Sequence, residues 1–283
     1  MILIIESGST NTNWRMVIAM NEKPIDFYSE GINPHYQNLQ EIDHAQIEII
    51  RKITSEFSPS NIVYFGTGIS SNEKKDIIKG WLIKYFPNSE IRIENDLLGS
   101  AIANLGEEKG IIAILGTGSN SGFFNGKIIE SQIPTLGFWL GDEGSGGHLG
   151  KLLIMDYFKN HLSTELKEKF ENRFGIINRE TILENAYSKP FPNRWFGGFS
   201  KFLFDNRKDP QSYAIIKKSF QAFIDEYILK YPEAKSHKIH FIGSIAFFFS
   251  DILKQVLKEN NLQIGIISEK AMPGLTLFYK KFL

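Results

Sequence analysis

Ile5-Glu6-Ser7-Gly8-Ser9-Thr10 and Leu115-Gly116-Thr117-Gly118-Ser119-Asn120 are the two stretches on which the fold of this chain turns. Each closes an apolar run, Met1–Ile5 in the first case and Ile111–Leu115 in the second. A continuous apolar run that stops at a turn predicts a central strand, buried on both faces. In each, glycine beside hydroxyl residues then lets the backbone turn tightly and brings N–H groups close to an anion. Neither stretch fits Gly-x4-Gly-Lys-Ser/Thr, and neither feeds a helix, so the P-loop and dinucleotide fingerprints do not apply. Both run from strand to strand. One such turn alone reads as an ordinary hairpin. Two at equivalent places in a repeated pattern predict phosphate binding, clamped from both sides.

Working outward, Trp14–Ala19 and Ile25–Tyr28 read as strands that complete an antiparallel meander with the first. Ile42–Phe57 carries apolar residues at helical spacing. Asn61–Phe65 reads as a strand, Glu73–Tyr85 as a helix, Ile91–Ile93 as a strand and Leu97–Leu105 as a helix. That alternation predicts parallel additions to the sheet. After Gly106–Gly110 the pattern restarts. Ser121–Asn125 and Lys127–Glu130 flank Asn125-Gly126, a hairpin signal. From His148 to about Tyr231 the chain reads as mostly helical, and the aromatic run Trp195–Phe204 reads as helix packing. Ile239–Ile242 is a strand, a helix follows from Ser244, Gln263–Ile267 is a strand, and a last helix starts at Pro273. A duplicated α/β unit predicts two similar lobes, residues 1–107 and 108–283, with a cleft between them and a helical insertion over about 148–231 in the second.

Composition limits the function classes. Lys+Arg and Asp+Glu are both 32 in 283 residues, so the formal net charge is zero and gives no reason to expect nucleic acid or an anionic membrane as partner. Cysteine is absent, which excludes disulfides, thiolate metal sites and cysteine nucleophiles. The apolar N-terminal run is too short for a signal peptide, and no stretch approaches the ~20 apolar residues of a membrane span. A cytoplasmic protein is expected.

Three acidic positions stand out. Asp96 follows a short strand and opens an apolar helix. It suits either a helix N-cap or a general base at the ligand-binding end of an α/β sheet. Gly141-Asp142-Glu143-Gly144-Ser145-Gly146-Gly147 places two carboxylates in a glycine-rich loop, able to hold magnesium through water or to bond sugar hydroxyls. A flexible surface loop is the alternative reading. Glu6 beside a phosphate turn would repel the anion unless a cation intervenes, which favours a magnesium role. The six histidines show no metal-ligand spacing.

Taken in order, these segments resemble the actin–hexokinase–Hsp70 ATPase superfamily, and within it the BadF/BadG/BcrA/BcrD-type branch that includes N-acetylglucosamine kinase. Residues 5–10 look like the first phosphate motif, and Asn95-Asp96-Leu97-Leu98-Gly99-Ser100-Ala101 like the segment holding the catalytic aspartate. Residues 115–120 look like the second phosphate motif. Leu140-Gly141-Asp142-Glu143-Gly144-Ser145 is similar to a signature of N-acetylhexosamine kinases, and Ile242-Gly243-Ser244-Ile245-Ala246 looks like the adenosine motif. The resemblance implies two ribonuclease H-like lobes, ATP and magnesium as cofactors, and a small amino sugar as partner. It implies Asp96 as the base for the sugar's 6-hydroxyl, and Asn33, Asn120, Gly141 and Asp142 at the sugar. Ser7, Gly8, Ser9, Thr10, Asn11, Gly116, Thr117, Gly118 and Ser119 would hold the phosphates, Gly243 and Ser244 the adenosine, and Glu6 with Asp142 the magnesium. The chain departs from the bacterial pattern Asp-Ser-Gly-Ser-Thr-Lys-Thr-Asp-Trp at Glu6, Asn11 and Asn13. Those departures motivate a rival reading, a non-catalytic sugar or nucleotide sensor. A second rival, a BadF-type ATPase without sugar kinase activity, uses a cysteine-ligated cluster in dehydratase activators, and this chain has no cysteine. The sugar's identity and the oligomeric state, a homodimer included, stay open at this point.

Overall fold

The computed structural model of the protein describes residues 1–8 and 10–283. The chain forms two compact units. The first comprises Met1–Glu108, Gly126–Ile128 and Lys270–Leu283; the second comprises Lys109–Asn125 and Ile129–Glu269.

In the first unit, strands β1 (Ile2–Ser7), β2 (Asn11–Val17), β3 (Ile25–Glu30), β4 (Asn61–Gly66) and β5 (Glu90–Asn95) form one sheet in the order β3-β2-β1-β4-β5. β1 pairs antiparallel with β2 and parallel with β4, so it lies at the centre. Its apolar run fits that place: Leu3, Ile4 and Ile5 are fully buried. Helices α1 (Leu39–Glu56) and α2 (Asn72–Tyr85) cover one face through Ile42, Ile50, Ile53, Ile78, Trp81 and Leu82, packed on Leu3, Ile5, Trp14 and Met16. A capping box starts α1: the Glu41 amide donates to Asn38 at 3.0 Å, and the Asn38 amide donates to Glu41 at 2.8 Å. Helix α3 (Asp96–Leu105) lies on the opposite face, where Gly99 lets it sit against the Phe65 ring.

The second unit repeats the plan. β6 (Gly110–Leu115), β7 (Ser119–Phe124), β8 (Ile129–Ser131), β9 (Ile239–Ile242) and β10 (Ile264–Ser268) run in the order β8-β7-β6-β9-β10. Again the first strand is central, antiparallel to the second and parallel to the fourth. Gly126, at the turn between β7 and β8, has φ +95°, a value suited to glycine. Its helices are α4 (Gly137–Leu140), α5 (Gly146–Phe158), α6 (Thr164–Phe174), α7 (Arg179–Leu183), α8 (Pro192–Gly197), α9 (Ser200–Asp205), α10 (Pro210–Glu226), α11 (Ser244–Phe248) and α12 (Ser250–Glu259). Leu149 and Leu153 of α5, Ile216 and Phe220 of α10 and Leu253 of α12 pack on Ile111, Ala113 and Leu115. The aromatic run is core: Phe199 and Phe202 meet Phe170 at 5.8 and 5.5 Å between ring centroids.

Helix α13 (Met272–Lys280) returns to the first unit and lies against α3. Gly274 makes the approach feasible, because a Cβ there would stand 2.1 Å from the Ala103 carbonyl oxygen. No helix among the described residues is long and apolar enough to cross a membrane.

Candidate active site

Both glycine–hydroxyl turns are tighter than their motifs. Pairing reaches Ser7↔Thr12 in the first hairpin and Leu115↔Ser119 in the second, so Glu6, Ser7, Ser119 and Asn120 are strand residues. The first turn closes with the Gly8 N–H donating to the Asn11 carbonyl at 3.0 Å. The second closes with the Gly116 N–H donating to the Gly118 carbonyl at 3.0 Å. Gly8, Thr10 and Asn11 are exposed at the first turn. Ser9, expected among the phosphate-loop residues, lies outside the described residues.

Ser7 has a different task from its neighbours. Its buried hydroxyl meets the Thr12 hydroxyl at 2.7 Å and accepts the Ile32 N–H at 2.9 Å. It therefore ties the first hairpin to the segment carrying Asn33. Asn33 is itself buried, and its Oδ1 accepts the His35 N–H at 3.0 Å.

Around this hairpin the parallel strands deliver two acids. Asp96 is the first residue of α3. The cap is its neighbour Asn95, whose Oδ1 accepts the Leu98 N–H at 2.8 Å. Burial pushes the Asp96 pKa up, opposed by bonds from the Leu97 N–H and the Thr67 hydroxyl. Thr67 is fixed in turn, its N–H donating to the Ser7 carbonyl at 3.0 Å. The sequence reading missed Thr67, yet Gly66-Thr67-Gly68 after an apolar strand is the same type of signal as the two hairpins.

Glu6 is the second acid. Burial raises its pKa, the Ala271 and Met272 N–H groups at the start of α13 and the charge of Lys270 oppose the rise, and Asp96 adds to it. Opposite Glu6 on β2 stands Asn13, whose Oδ1 is buried with no partner among the described residues. A buried carbonyl oxygen calls for a donor, and the water shell of a magnesium ion supplies one. Among the described residues no group of three acids or histidines could ligate a metal directly. A hydrated ion held through water by Glu6 and Asn13 therefore fits the residues present.

In the second unit the acidic loop is ordered against the hairpin. Asp142 is buried, has φ +61°, and its Oδ1 accepts the Ser119 N–H at 3.1 Å. Burial raises its pKa, the Ser119 amide and Lys151 oppose that, and Glu143 adds to it. The Gly146 N–H donates to the Gly116 carbonyl at 2.8 Å, and the Gly147 N–H to the Thr117 carbonyl at 3.1 Å. The α5 N-terminus is thus fastened to the turn, with Ser145 as its cap through the His148 N–H at 3.1 Å. Burial lowers the His148 pKa to about 4, so the ring, 2.8 Å from the Ser219 hydroxyl, is neutral near pH 7. Gly141 is buried where a Cβ would meet the Tyr227 hydroxyl at 2.9 Å, and Tyr227 donates to Glu143 at 3.0 Å.

Gly243 joins the same assembly. Its φ is +113°, and a Cβ would lie 2.4 Å from the Leu115 carbonyl oxygen. Ser244, next to it, is exposed. Ser119 Oγ is buried without a partner among the described residues, a hydroxyl left to a ligand or water. Asn120 Oδ1 accepts from the Ser121 N–H at 2.9 Å and from Gln132 Nε2 at 2.8 Å.

No protein-family model matches the chain. Solved structures do. A candidate N-acetylglucosamine kinase from Porphyromonas gingivalis is 35% identical, with TM-score 0.92 and coverage of 99% of both chains. A candidate N-acetylglucosamine kinase from Chromobacterium violaceum is 15% identical at TM-score 0.71, covering 98% of each chain. A candidate N-acetylmannosamine kinase from Listeria monocytogenes is 15% identical at TM-score 0.51, covering 99% of each. The last two share the fold alone. Identity of 35% over the full length, with the two matching five-stranded sheets, carries more: this chain belongs to the family of the Porphyromonas gingivalis protein and has the two-lobed actin-like ATPase fold.

Proposed function

We propose that this protein is an ATP-dependent sugar kinase whose acceptor is the 6-hydroxyl of an N-acetylated amino sugar, N-acetylglucosamine in the first instance. The observation that carries the reading is the placement of Asp96. Its carboxyl stands where β5 ends, at the start of α3, with the Asn95 side chain as the helix cap and the Thr67 hydroxyl and Leu97 amide favouring its charged form. A carboxylate in that position accepts a proton from an attacking hydroxyl, and its raised pKa makes it a stronger base than an exposed aspartate. The choice of an amino sugar rests on what the 35% identical relative is named for.

In this reading the first unit contributes Gly8, Thr10 and Asn11 to the phosphates, and Asn33 to the sugar. The second contributes Gly116, Thr117, Gly118 and Ser119 to the phosphates, Gly243 and Ser244 to the adenosine, and Asn120, Gly141 and Asp142 to the sugar. Magnesium, when bound, would withdraw charge from the phosphates of ATP, with Glu6 and Asn13 holding its water. The sugar hydroxyl attacks the γ-phosphorus, the bond to ADP breaks, and the hydroxyl proton passes to Asp96. The protein contributes position and charge rather than a covalent intermediate.

The test is an ADP-release assay across N-acetylglucosamine, N-acetylmannosamine, N-acetylmuramate and glucosamine, with mass spectrometry of the product. Turnover on an N-acetylated sugar giving a 6-phosphate supports the proposal. Tight sugar or nucleotide binding with no product on any of them would replace it with a sensor role.

A further inference from the structure

Helix α10 supports the acidic loop of the second unit along one stripe. Ser219, Phe223 and Tyr227 follow one another at intervals of four, so they share a helix face. The Ser219 hydroxyl meets His148 Nδ1 at 2.8 Å. Phe223 backs Gly144, where a Cβ would come within 2.8 Å of the Phe223 Cβ. Tyr227, at the helix end, reaches the residues on both sides of Asp142. Its hydroxyl donates to Glu143 Oε2 at 3.0 Å. The same oxygen stands 2.9 Å from the place a Cβ would take at Gly141.

Tyr227 is itself firmly seated. It is buried, its ring meets Phe223 at 5.3 Å between centroids, and its N–H donates to the Phe223 carbonyl at 3.1 Å. Burial and then the charge of Glu143 push its pKa up, so the hydroxyl stays a donor around neutral pH. From the other side, the Ser119 N–H donates to Asp142 Oδ1 at 3.1 Å. Asp142 between them has φ +61°, a sparsely populated conformation that persists where neighbours fix it.

We propose that Tyr227 is a positioning residue of the sugar site, its hydroxyl fixing Glu143 and bracing Gly141 so that Asp142 between them is set for a sugar hydroxyl. The inference rests on the reading of Asp142 as a sugar contact and adds to it a residue from outside the loop. Tyr157 supplies a matched comparison. It is 6% exposed against 5% for Tyr227, and its hydroxyl donates to Glu171 Oε1 at 2.9 Å. That bond joins the far end of α5 to α6, within the same unit. If Tyr227 served packing alone, the two tyrosines would behave alike.

The experiment is calorimetric titration of the whole protein with N-acetylglucosamine and, separately, with magnesium-ATP. The proteins are wild type, Tyr227→Phe, Tyr157→Phe, Glu143→Ala and Glu143→Gln, with thermal melting recorded alongside. Both tyrosine variants should melt lower than wild type by similar amounts. Tyr227→Phe alone should weaken sugar binding, about tenfold, which is ~1.4 kcal/mol, with magnesium-ATP affinity held within about twofold. Glu143→Ala should lose sugar affinity likewise, and Glu143→Gln, which keeps an acceptor for the hydroxyl, should recover most of it. Sugar affinity of Tyr227→Phe or Glu143→Ala within about twofold of wild type overturns the inference, as does an equal loss in Tyr157→Phe, and each leaves the sugar-site reading intact. Wild type that binds neither N-acetylglucosamine nor N-acetylmannosamine overturns that reading and the inference with it.

Discussion

The Ser119 N–H donates to Asp142 Oδ1 at 3.1 Å, so the second glycine–hydroxyl turn and the acidic loop are one piece of structure. Gly118 belongs to the contact as well, since a Cβ there would stand 3.0 Å from the same carboxyl. Asp142 holds this position in the left-handed region, where aspartate and asparagine are tolerated and alanine is strained. Asp142→Ala should therefore cost about 1–2 kcal/mol in urea unfolding, from the lost acceptor and the strained backbone. Asp142→Asn keeps an acceptor and a tolerated φ, so its stability should stay within ~0.5 kcal/mol of wild type. Its KM for the sugar should nonetheless rise about tenfold. An unchanged KM in Asp142→Asn would remove Asp142 from the sugar site.

Gly243 and Gly80 set opposite expectations for one substitution. At Gly243 the φ of +113° and the Leu115 oxygen 2.4 Å from any Cβ both oppose a side chain. Gly243→Ala should lose about 2–4 kcal/mol and displace the Leu115–Gly116 backbone, weakening nucleotide binding with it. Gly80 lies inside α2, where a Cβ would have nothing within 4 Å of it. Gly80→Ala should stabilise by about 0.5–1 kcal/mol through helix propensity alone. Denaturant midpoints of the two variants should move in opposite directions.

The duplicated strand plan was legible because Ile2–Ile5 and Ile111–Leu115 are buried on both faces and announce themselves as unbroken apolar runs. The ends of those strands were less so. Ladder pairing carries on through polar residues such as Glu6, Ser7 and Ser119, whose side chains have local partners or neighbours that a hydrophobic pattern does not register. Asp96 was legible as an acid at a strand end, but the division of labour with Asn95 was not. Two polar residues in succession can each cap a helix, and only the observed bond to the Leu98 N–H decides. The place of α13 was hidden for a further reason. Its own residues specify a helix, while its packing depends on Ala103, far away in the chain, and on the absence of a side chain at Gly274.

Asp96 gives a prediction in which activity and stability move apart. Burial favours the neutral acid, so the folded protein binds this proton more tightly than the unfolded chain does. Below the ordinary carboxylate range both states are protonated, and wild type and Asp96→Asn should melt alike. Above the raised folded-state pKa, wild type bears the full cost of a buried charge and the amide does not. Asp96→Asn should therefore melt at a higher temperature than wild type near pH 8, with the gain fading as pH falls toward 4. The same variant should lose at least 10³-fold in kcat. In wild type, kcat/KM should rise with pH along a limb above the ordinary aspartate value of 3.8. Near-normal turnover in Asp96→Asn would exclude it as the base.

Gly274 tests whether α13 matters to the site or only to the core. A Cβ at this position would meet the Ala103 oxygen at 2.1 Å and its carbonyl carbon at 2.8 Å. Both are backbone atoms, so no rotamer change relieves the contact, and the two helices must separate. Separation costs packing of about 1–3 kcal/mol. It also moves the Ala271 and Met272 N–H groups away from Glu6, leaving a half-buried carboxyl short of donors. Gly274→Ala should thus lower stability and raise the pKa of Glu6 further, because the two interactions that oppose its burial are weakened. Its affinity for magnesium-ATP should fall more than that of a variant equally destabilised within α6, such as Phe170→Leu, whose cluster lies in the second unit. Equal nucleotide affinity in the two variants would confine α13 to a packing role.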